Sequence, residues 1–470
     1  MSPIKFTKDS KAYLISAILF EILFLLLLAF SLFKEYELYF LIGAISIPSI
    51  LLFTYNPKIW IYVSVLLFAP ILILRDEGIS IFEIAFSVVV ILGLVVYFFF
   101  KLFIEKKSIV QNYGDLLILL FFIFLPFNGL VAYLNDVDLF YWLREVLVLF
   151  LILLYFPFRE YFTDTKDFNR LLFFAMIVSL ACSVYVIVTY KENTLLMATY
   201  AYELFGFEGT KKVNHIVFVG TYFTAIILAQ NRKNVPLTLL LFGVAFLSVV
   251  ALIITVSRTF WIATILGTIV LFIYFNWKER LKLIFFYLLI ILLFGGVTYY
   301  VFQGNYKVVT RLIEHRFLSS LKGKQDRSLQ SRFAEFNYVL NGIAENPLSG
   351  NGFAKKIRFR DPIFVKTLTS HNIHNGFTSI LYRAGIPLAI LYVSFFIFYF
   401  FKVVNLLKDV RHRHFLQPYA ISAFVIMLIM FVGQFTFQQY LARDFNFAGA
   451  IAIAMIEFVE RNYNGAQKIC

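Results

Sequence analysis

The sequence predicts an all-α fold: a polytopic transmembrane helical bundle of 12 to 14 spans, with one long outward-facing loop that carries an amphipathic helix. Three observations predict it. The 470 residues are 61% hydrophobic, 19% aromatic and only 15% charged, far beyond the roughly 45 to 50% apolar share of soluble domains. Apolar stretches of about 20 residues, enough to cross about 30 Å of hydrocarbon, recur throughout the chain. Lys and Arg are shared unequally between alternate connections, as the positive-inside rule requires of a membrane protein.

Taken in order, Lys11 is followed by an apolar run from Ala12 to Phe33. That run exceeds the about 7 to 15 residues of a signal-peptide core, so it reads as an uncleaved first span. Further candidates start near Leu38, Ile59, Ser80, Asp115, Trp142, Phe168, Val213, Pro236, Thr259, Leu283, Gly376, Gln417 and Asn446. The second, third and last are short or interrupted by Pro and polar residues, which sets the range of 12 to 14. Residues 1–470 form a single integral membrane domain, and residues 304–373 are the long loop within it. With the N-terminus inside, the inner segments hold 21 Lys and Arg and the short outer segments nine. Both termini are then cytoplasmic and the loop faces outward. Trp60, Trp142, Trp261 and Trp277 fall near span ends, where interfacial aromatic belts form.

The loop holds 12 Lys or Arg against five acids, half of the whole chain's net charge of +14. Phe333, Phe336, Leu340 and Ile343 recur at three to four residues, which predicts an amphipathic helix ended by Asn346-Pro347. Such a helix lies on the membrane surface or caps the spans. Gly350 and Gly352 then mark a tight turn. The two cysteines, Cys182 and Cys470, supply neither a disulfide framework nor a Cys metal site.

A basic face beside a bilayer needs an anionic partner. It is either a solvated surface brushing anionic head groups or a phosphate site, since Arg pairs bidentately with phosphate oxygens. Lys356 and Arg358 are the loop's candidate substrate contacts. Arg258 stands alone in Thr255-Val-Ser-Arg-Thr-Phe-Trp261, either snorkelling to the interface or marking function, as charges at membrane depth tend to do. His371 and His374 sit where the loop runs into the next span. Their spacing, with no Cys or carboxylate cluster nearby, does not suit zinc. A histidine of near-neutral pKa is otherwise the commonest general base, or else it caps a helix.

These residues resemble a known family, the O-antigen ligases and O-antigen polymerases, polytopic membrane glycosyltransferases. His374-Asn375, followed by an apolar run to Gly385 in Leu381-Tyr-Arg-Ala-Gly-Ile-Pro-Leu388, is similar to the family's His-Asn, Gly and hydrophobic span. Ser331-Arg332, the amphipathic helix and Asn346-Pro-Leu-Ser-Gly-Asn-Gly352 resemble its Arg, helix and Pro-Leu-x-Gly-x-Gly segment. Ser257-Arg258 and Asn214-His215, each opening a span, are similar to two further elements. The resemblance spans roughly residues 200 to 400.

The resemblance implies a glycan linked to undecaprenyl pyrophosphate as donor. The acceptor is a sugar hydroxyl, on lipid A core for a ligase or on a second lipid-linked glycan for a polymerase. No metal, cofactor, nucleotide sugar or nucleic acid takes part. It implies His374, Arg258 and Arg332 as catalytic residues, with His371, Asn375, Asn214, His215, Lys356 and Arg358 binding substrate. The site then faces the periplasm from the cell inner membrane, in contact with membrane lipids. The competing reading is a polysaccharide transporter or lipid-linked glycan flippase, which needs polar groups through the membrane's depth rather than at one face.

Overall fold

The structure, a computed structural model, describes residues 50–73 (without 52 and 54), 81–197, 215–230, 234–302 (without 256), 327–362, 365–410 and 415–467. The two span candidates starting near Ala12 and Leu38, and Asn214, lie outside the described residues. In chain order the helices are α1 (Pro57–Ile73), α2 (Ile81–Phe99), α3 (Tyr113–Leu134), α4 (Leu139–Leu149), α5 (Tyr155–Tyr161) and α6 (Thr165–Met197). They continue with α7 (His215–Gln230), α8 (Val235–Ile254), α9 (Arg258–Tyr274), α10 (Trp277–Phe302) and α11 (Arg327–Glu345). The last three are α12 (Gly376–Asp409), α13 (Gln417–Gln434) and α14 (Arg443–Gln467).

Seven helical runs among the described residues are long and apolar enough to cross a membrane, α4 to α5 counting as one run, Leu139–Tyr161. α1, α7 and α9 contain shorter apolar helices. Of the expected 12 to 14 spans, the two starting near Ala12 and Leu38 lie outside the described residues, so these lengths bear only on the rest. Hydropathy located the elements, because a helix begins close to each of the ten expected starts that are themselves described.

α3 packs on α12, α7 on α8, and α13 on α14 and α7, around a core in which Trp60, Tyr155, Tyr222, Tyr399 and Tyr440 are fully buried. The outward surface is also apolar: Phe285, Ile291 and Leu292 of α10 are each at least 69% exposed, a pattern suited to hydrocarbon rather than water. The tryptophans depart from an interfacial belt. Trp277 is exposed, but Trp60 is in the core and Trp142 donates to Asn128 Oδ1 at 3.1 Å.

The all-α expectation misses one element, an antiparallel hairpin of β1 (Ile357–Asp361) and β2 (Lys366–Ser370), with Ile357 opposite Ser370. Ile357, Phe359 and Asp361 point inward while Arg358 and Arg360 point out, the two-residue alternation of a half-buried strand. α11 packs on β1 and α12. Its buried face is Glu335 and Val339, whereas Phe333 and Leu340 are exposed. The apolar stripe that predicted the helix therefore lies to one side of the face that caps the bundle.

The loop after α11 is locked into a break in α12. Pro387 has no N–H to offer Arg383 O, its partner four residues back, and Gly385 takes φ 74°, ψ 169°, a backbone that glycine adopts without a Cβ penalty. The carbonyls thus freed are not left bare. Asn351 N donates to Tyr382 O at 2.8 Å, Gly352 N to Arg383 O at 2.9 Å, and Ile386 N to Pro347 O at 2.8 Å. Asn128 Nδ2 also donates to Arg383 O at 2.7 Å, tying α3 to the same point.

At the opposite end of the bundle, Arg159 pairs with Asp115 at 2.8 Å, both buried, and Lys402 pairs with Glu457 at 2.7 Å. Buried charges are matched there, as the cost of an unpaired one demands.

Candidate active site

The segment Ser370–Asn375 enters α12 along a strapped path. Asn375 is the N-cap: its Oδ1 accepts from Phe377 N at 3.0 Å and Thr378 N at 3.1 Å, satisfying donors that a helix start leaves open. Gln438, in the turn after α13, grips the segment from the other side. Its Oε1 accepts from Ile373 N at 3.1 Å and Ser379 Oγ at 3.0 Å, and its Nε2 donates to His371 O at 3.3 Å and Asn372 Oδ1 at 3.2 Å.

His374 is held by a buried acid that the sequence did not single out. Glu335 of α11, only 3% exposed, accepts from the His374 backbone N at 2.6 Å with Oε1 and lies 2.7 Å from Nδ1 with Oε2. An ionised carboxylate can only accept, so the proton is assigned to Nδ1 and the lone pair to Nε2. The His374 side chain is 38% exposed, and Phe437 stands edge-on to its ring at 6.1 Å. A fixed tautomer with a reachable Nε2 is what a general base requires.

His371 turns elsewhere. Its ring lies 6.4 Å from that of Tyr141, and it borders a cavity with Glu145 and Asn372. Burial lowers its pKa below the ordinary histidine value; the Lys356 charge adds to this and Glu145 opposes it. The two histidines thus serve different surroundings. Lys356 is beside His371, while Arg358 lies farther along the same exposed face of β1.

Arg332 is half-buried on α11, one turn before Glu335 and on the same side of the helix. The neighbouring Ser331 hydroxyl donates to the buried Asp361 carboxylate. Arg258 and His215 open α9 and α7; their side chains lie outside the described residues. Their helix ends are nevertheless placed. Thr259 Oγ1 meets Thr436 Oγ1 at 2.9 Å, next to Phe437, and Ile216 N donates to Asp444 Oδ2 at 3.0 Å. The starts of α7, α9, α12 and α14 therefore converge on one end of the bundle, the end that carries Glu335 and His374.

Other parts of the site escaped sequence reasoning. Arg383, counted there as a charge in a short outer loop, is fully buried within α12, where its guanidinium pairs with Glu145 and donates to His371 O. Glu145 Oε2 also accepts from Ala354 N at 2.7 Å. Beside Gly376, an apolar groove of about 280 Å³ runs between α12 and α13, lined by Phe377, Ile380, Val393, Phe396, Met430 and Phe431.

No curated protein matches the chain. Residues 243–393 match the family model described as O-antigen ligase. That range holds Arg258, Arg332, Glu335, Lys356, Arg358, His371, His374 and the Gly385 break, and excludes Glu145 and Gln438. The likeness to the O-antigen ligase family rests on this segment, about a third of the chain's 470 residues.

Proposed function

We propose that the protein is a membrane glycosyltransferase that moves a glycan from an undecaprenyl pyrophosphate carrier onto a sugar hydroxyl, without metal or nucleotide sugar. The observation that carries this reading is the bidentate hold of Glu335 on His374, at 2.6 Å and 2.7 Å. Nε2 takes the proton of the acceptor hydroxyl as that oxygen bonds to the donor's anomeric carbon. The bond from that carbon to the diphosphate oxygen breaks, and the diphosphate leaves on its carrier with inversion at carbon. Arg332, near Glu335 on α11, and Arg258, at the head of α9, bind the diphosphate and stabilise its growing charge. The groove between α12 and α13 opens two residues from His374 and suits an apolar carrier chain.

The reaction takes place at the outward face of the cell inner membrane, with both termini cytoplasmic. Ligase and polymerase differ only in the acceptor, a lipid A core sugar or a second lipid-linked glycan. The test is purified protein in liposomes with lipid-linked donor and either acceptor. A new glycosidic bond, lost in His374→Ala, is expected. Movement of the donor between leaflets with no new bond would mean a flippase.

A further inference from the structure

The apolar groove between α12 and α13 carries one unmatched polar side chain. Gln434, the last residue of α13, lines its wall and is only 7% exposed. The two tyrosines of the lining are already engaged: Tyr392 donates to Asn446 Oδ1 at 3.1 Å, and Tyr440 pairs with Ser379 Oγ at 2.9 Å. Gln434 Oε1, by contrast, is buried with no hydrogen-bond partner among the described residues. Buried polar atoms of native proteins are nearly always matched, so this carboxamide calls for a ligand group.

Its position decides which group. The carboxamide lies against Gly376, the first residue of α12, where a Cβ would stand 1.7 Å from Gln434 Oε1 and 3.1 Å from Phe437 O. Glycine is what lets the amide come so close to the helix start. Gly376 itself lines the groove, which puts the positive end of the α12 dipole at that spot and favours an anion there. Phe437 stands edge-on to the His374 ring at 6.1 Å, and Thr436 Oγ1 meets Thr259 Oγ1, one residue after Arg258, at 2.9 Å. The amide therefore sits where the groove, the proposed base and the head of α9 meet. For a ligand with an apolar chain in the groove and an anionic head, the group at this junction is the phosphate on which the chain ends. A half-turn of the carboxamide exchanges its oxygen for its NH2, so the side chain can donate to a phosphate oxygen.

We propose that Gln434 is a positioning residue for the donor: its Nε2 donates to the phosphate that ends the carrier chain, and so fixes how far the chain slides before the anomeric carbon reaches His374. The assignment rests on the transferase reading for its role, but binding is tested without catalysis. Native mass spectrometry of the detergent-purified protein at pH 8 is run with undecaprenyl phosphate and undecaprenol, which share the chain and differ in the head. The parent should prefer the phosphate. Gln434→Met, similar in shape but without the amide, should bind undecaprenyl phosphate at least about tenfold more weakly, the scale of one hydrogen bond to a charged group, with undecaprenol within about twofold. Gly376→Ala pushes the carboxamide aside without removing it and should show the same selective loss, with thermal melting confirming that each variant is folded. Gln434→Glu keeps the acceptors and loses the N–H, so it should bind the phosphate no better than Gln434→Met. Equal loss of both probes in Gln434→Met, undiminished phosphate binding there, or retained phosphate binding in Gln434→Glu overturns the proposal.

In the transfer assay Gln434→Met should raise KM for donor by at least about tenfold with acceptor KM within about twofold. Active transfer with an unchanged donor KM would remove Gln434 from the donor's path and leave the transferase reading intact. Selective phosphate binding, lost in Gln434→Met, in a protein that forms no glycosidic bond would leave the phosphate contact standing and remove the transferase reading alone.

Discussion

Gly350 and Gly385 touch backbone to backbone: a Cβ on Gly350 would stand 2.4 Å from Gly385 N, and one on Gly385 would stand 2.2 Å from Leu348 O. Both residues also have positive φ, 67° and 74°. Neither neighbour is a side chain that could swing aside, so Gly350→Ala and Gly385→Ala should each force the inserted loop out of the α12 break. Lost insertion strands Tyr382 O, at about 1 to 3 kcal/mol for a buried unpaired group, and leaves Arg383 O with Asn128 alone. The measurement is thermal unfolding of the purified variants. Gly243, with nothing within 4 Å of a built Cβ, is the control, and Gly243→Ala should melt like the parent.

His374→Ala should lose at least about 100-fold of transfer while donor binding persists, the low end for general-base assistance. His371→Ala should lose less and should weaken acceptor binding instead. An active His374→Ala protein beside a dead His371→Ala protein would exchange the roles. The check is transfer and donor binding measured side by side.

Glu335→Gln separates positioning from catalysis. Glutamine retains an acceptor for the His374 backbone N–H but carries no charge to oppose a protonated ring. The variant should lower kcat by about 10-fold or more with donor KM little changed. An intact kcat would reduce Glu335 to a packing residue.

Arg258→Lys and Arg332→Lys keep the charge and lose the bidentate fork. Each should lower transfer by about 10-fold or more, on the scale of one charge-assisted contact. Arg360→Ala, on the exposed face of β1, should change it by less than about twofold, as an isolated surface charge. Equal tolerance at all three positions would make both arginines surface charge.

Sidedness is testable by labelling. Cysteines placed at Arg358 or Arg360 should react with an impermeant thiol reagent from outside the inner membrane, and one at Lys107, exposed at the opposite end, should not. The reverse pattern would turn the site toward the cytoplasm.

The helices were legible because length and apolarity are local properties, and α11 was legible from its periodicity even though the buried stripe lies to one side of it. The hairpin left a readable trace, the alternation Ile357-Arg-Phe-Arg-Asp361, inside a segment judged by charge alone. Glu335 and Arg383 were beyond reach for a physical reason. A carboxylate in an amphipathic helix looks the same whether it faces water or a histidine 39 residues on, and an arginine near a span end looks the same whether it snorkels or meets Glu145, 238 residues away. His374 and Arg258 were singled out because each lies at the start of a span, and Arg332 through the family resemblance. Their supports were not, since pairing across the fold leaves no spacing in the chain.

The grip of Gln438 on residues 371–379 bears on how the protein could be cut or recombined. A fragment ending after α12 would retain His374, Glu335, Arg332 and Arg258, yet it would lack the amide that holds Ile373 N, Asn372 and the His371 carbonyl. Chimeras that exchange only residues 243–393 between relatives should therefore fold their helices and still present a misaligned histidine, unless the turn after α13 travels with them.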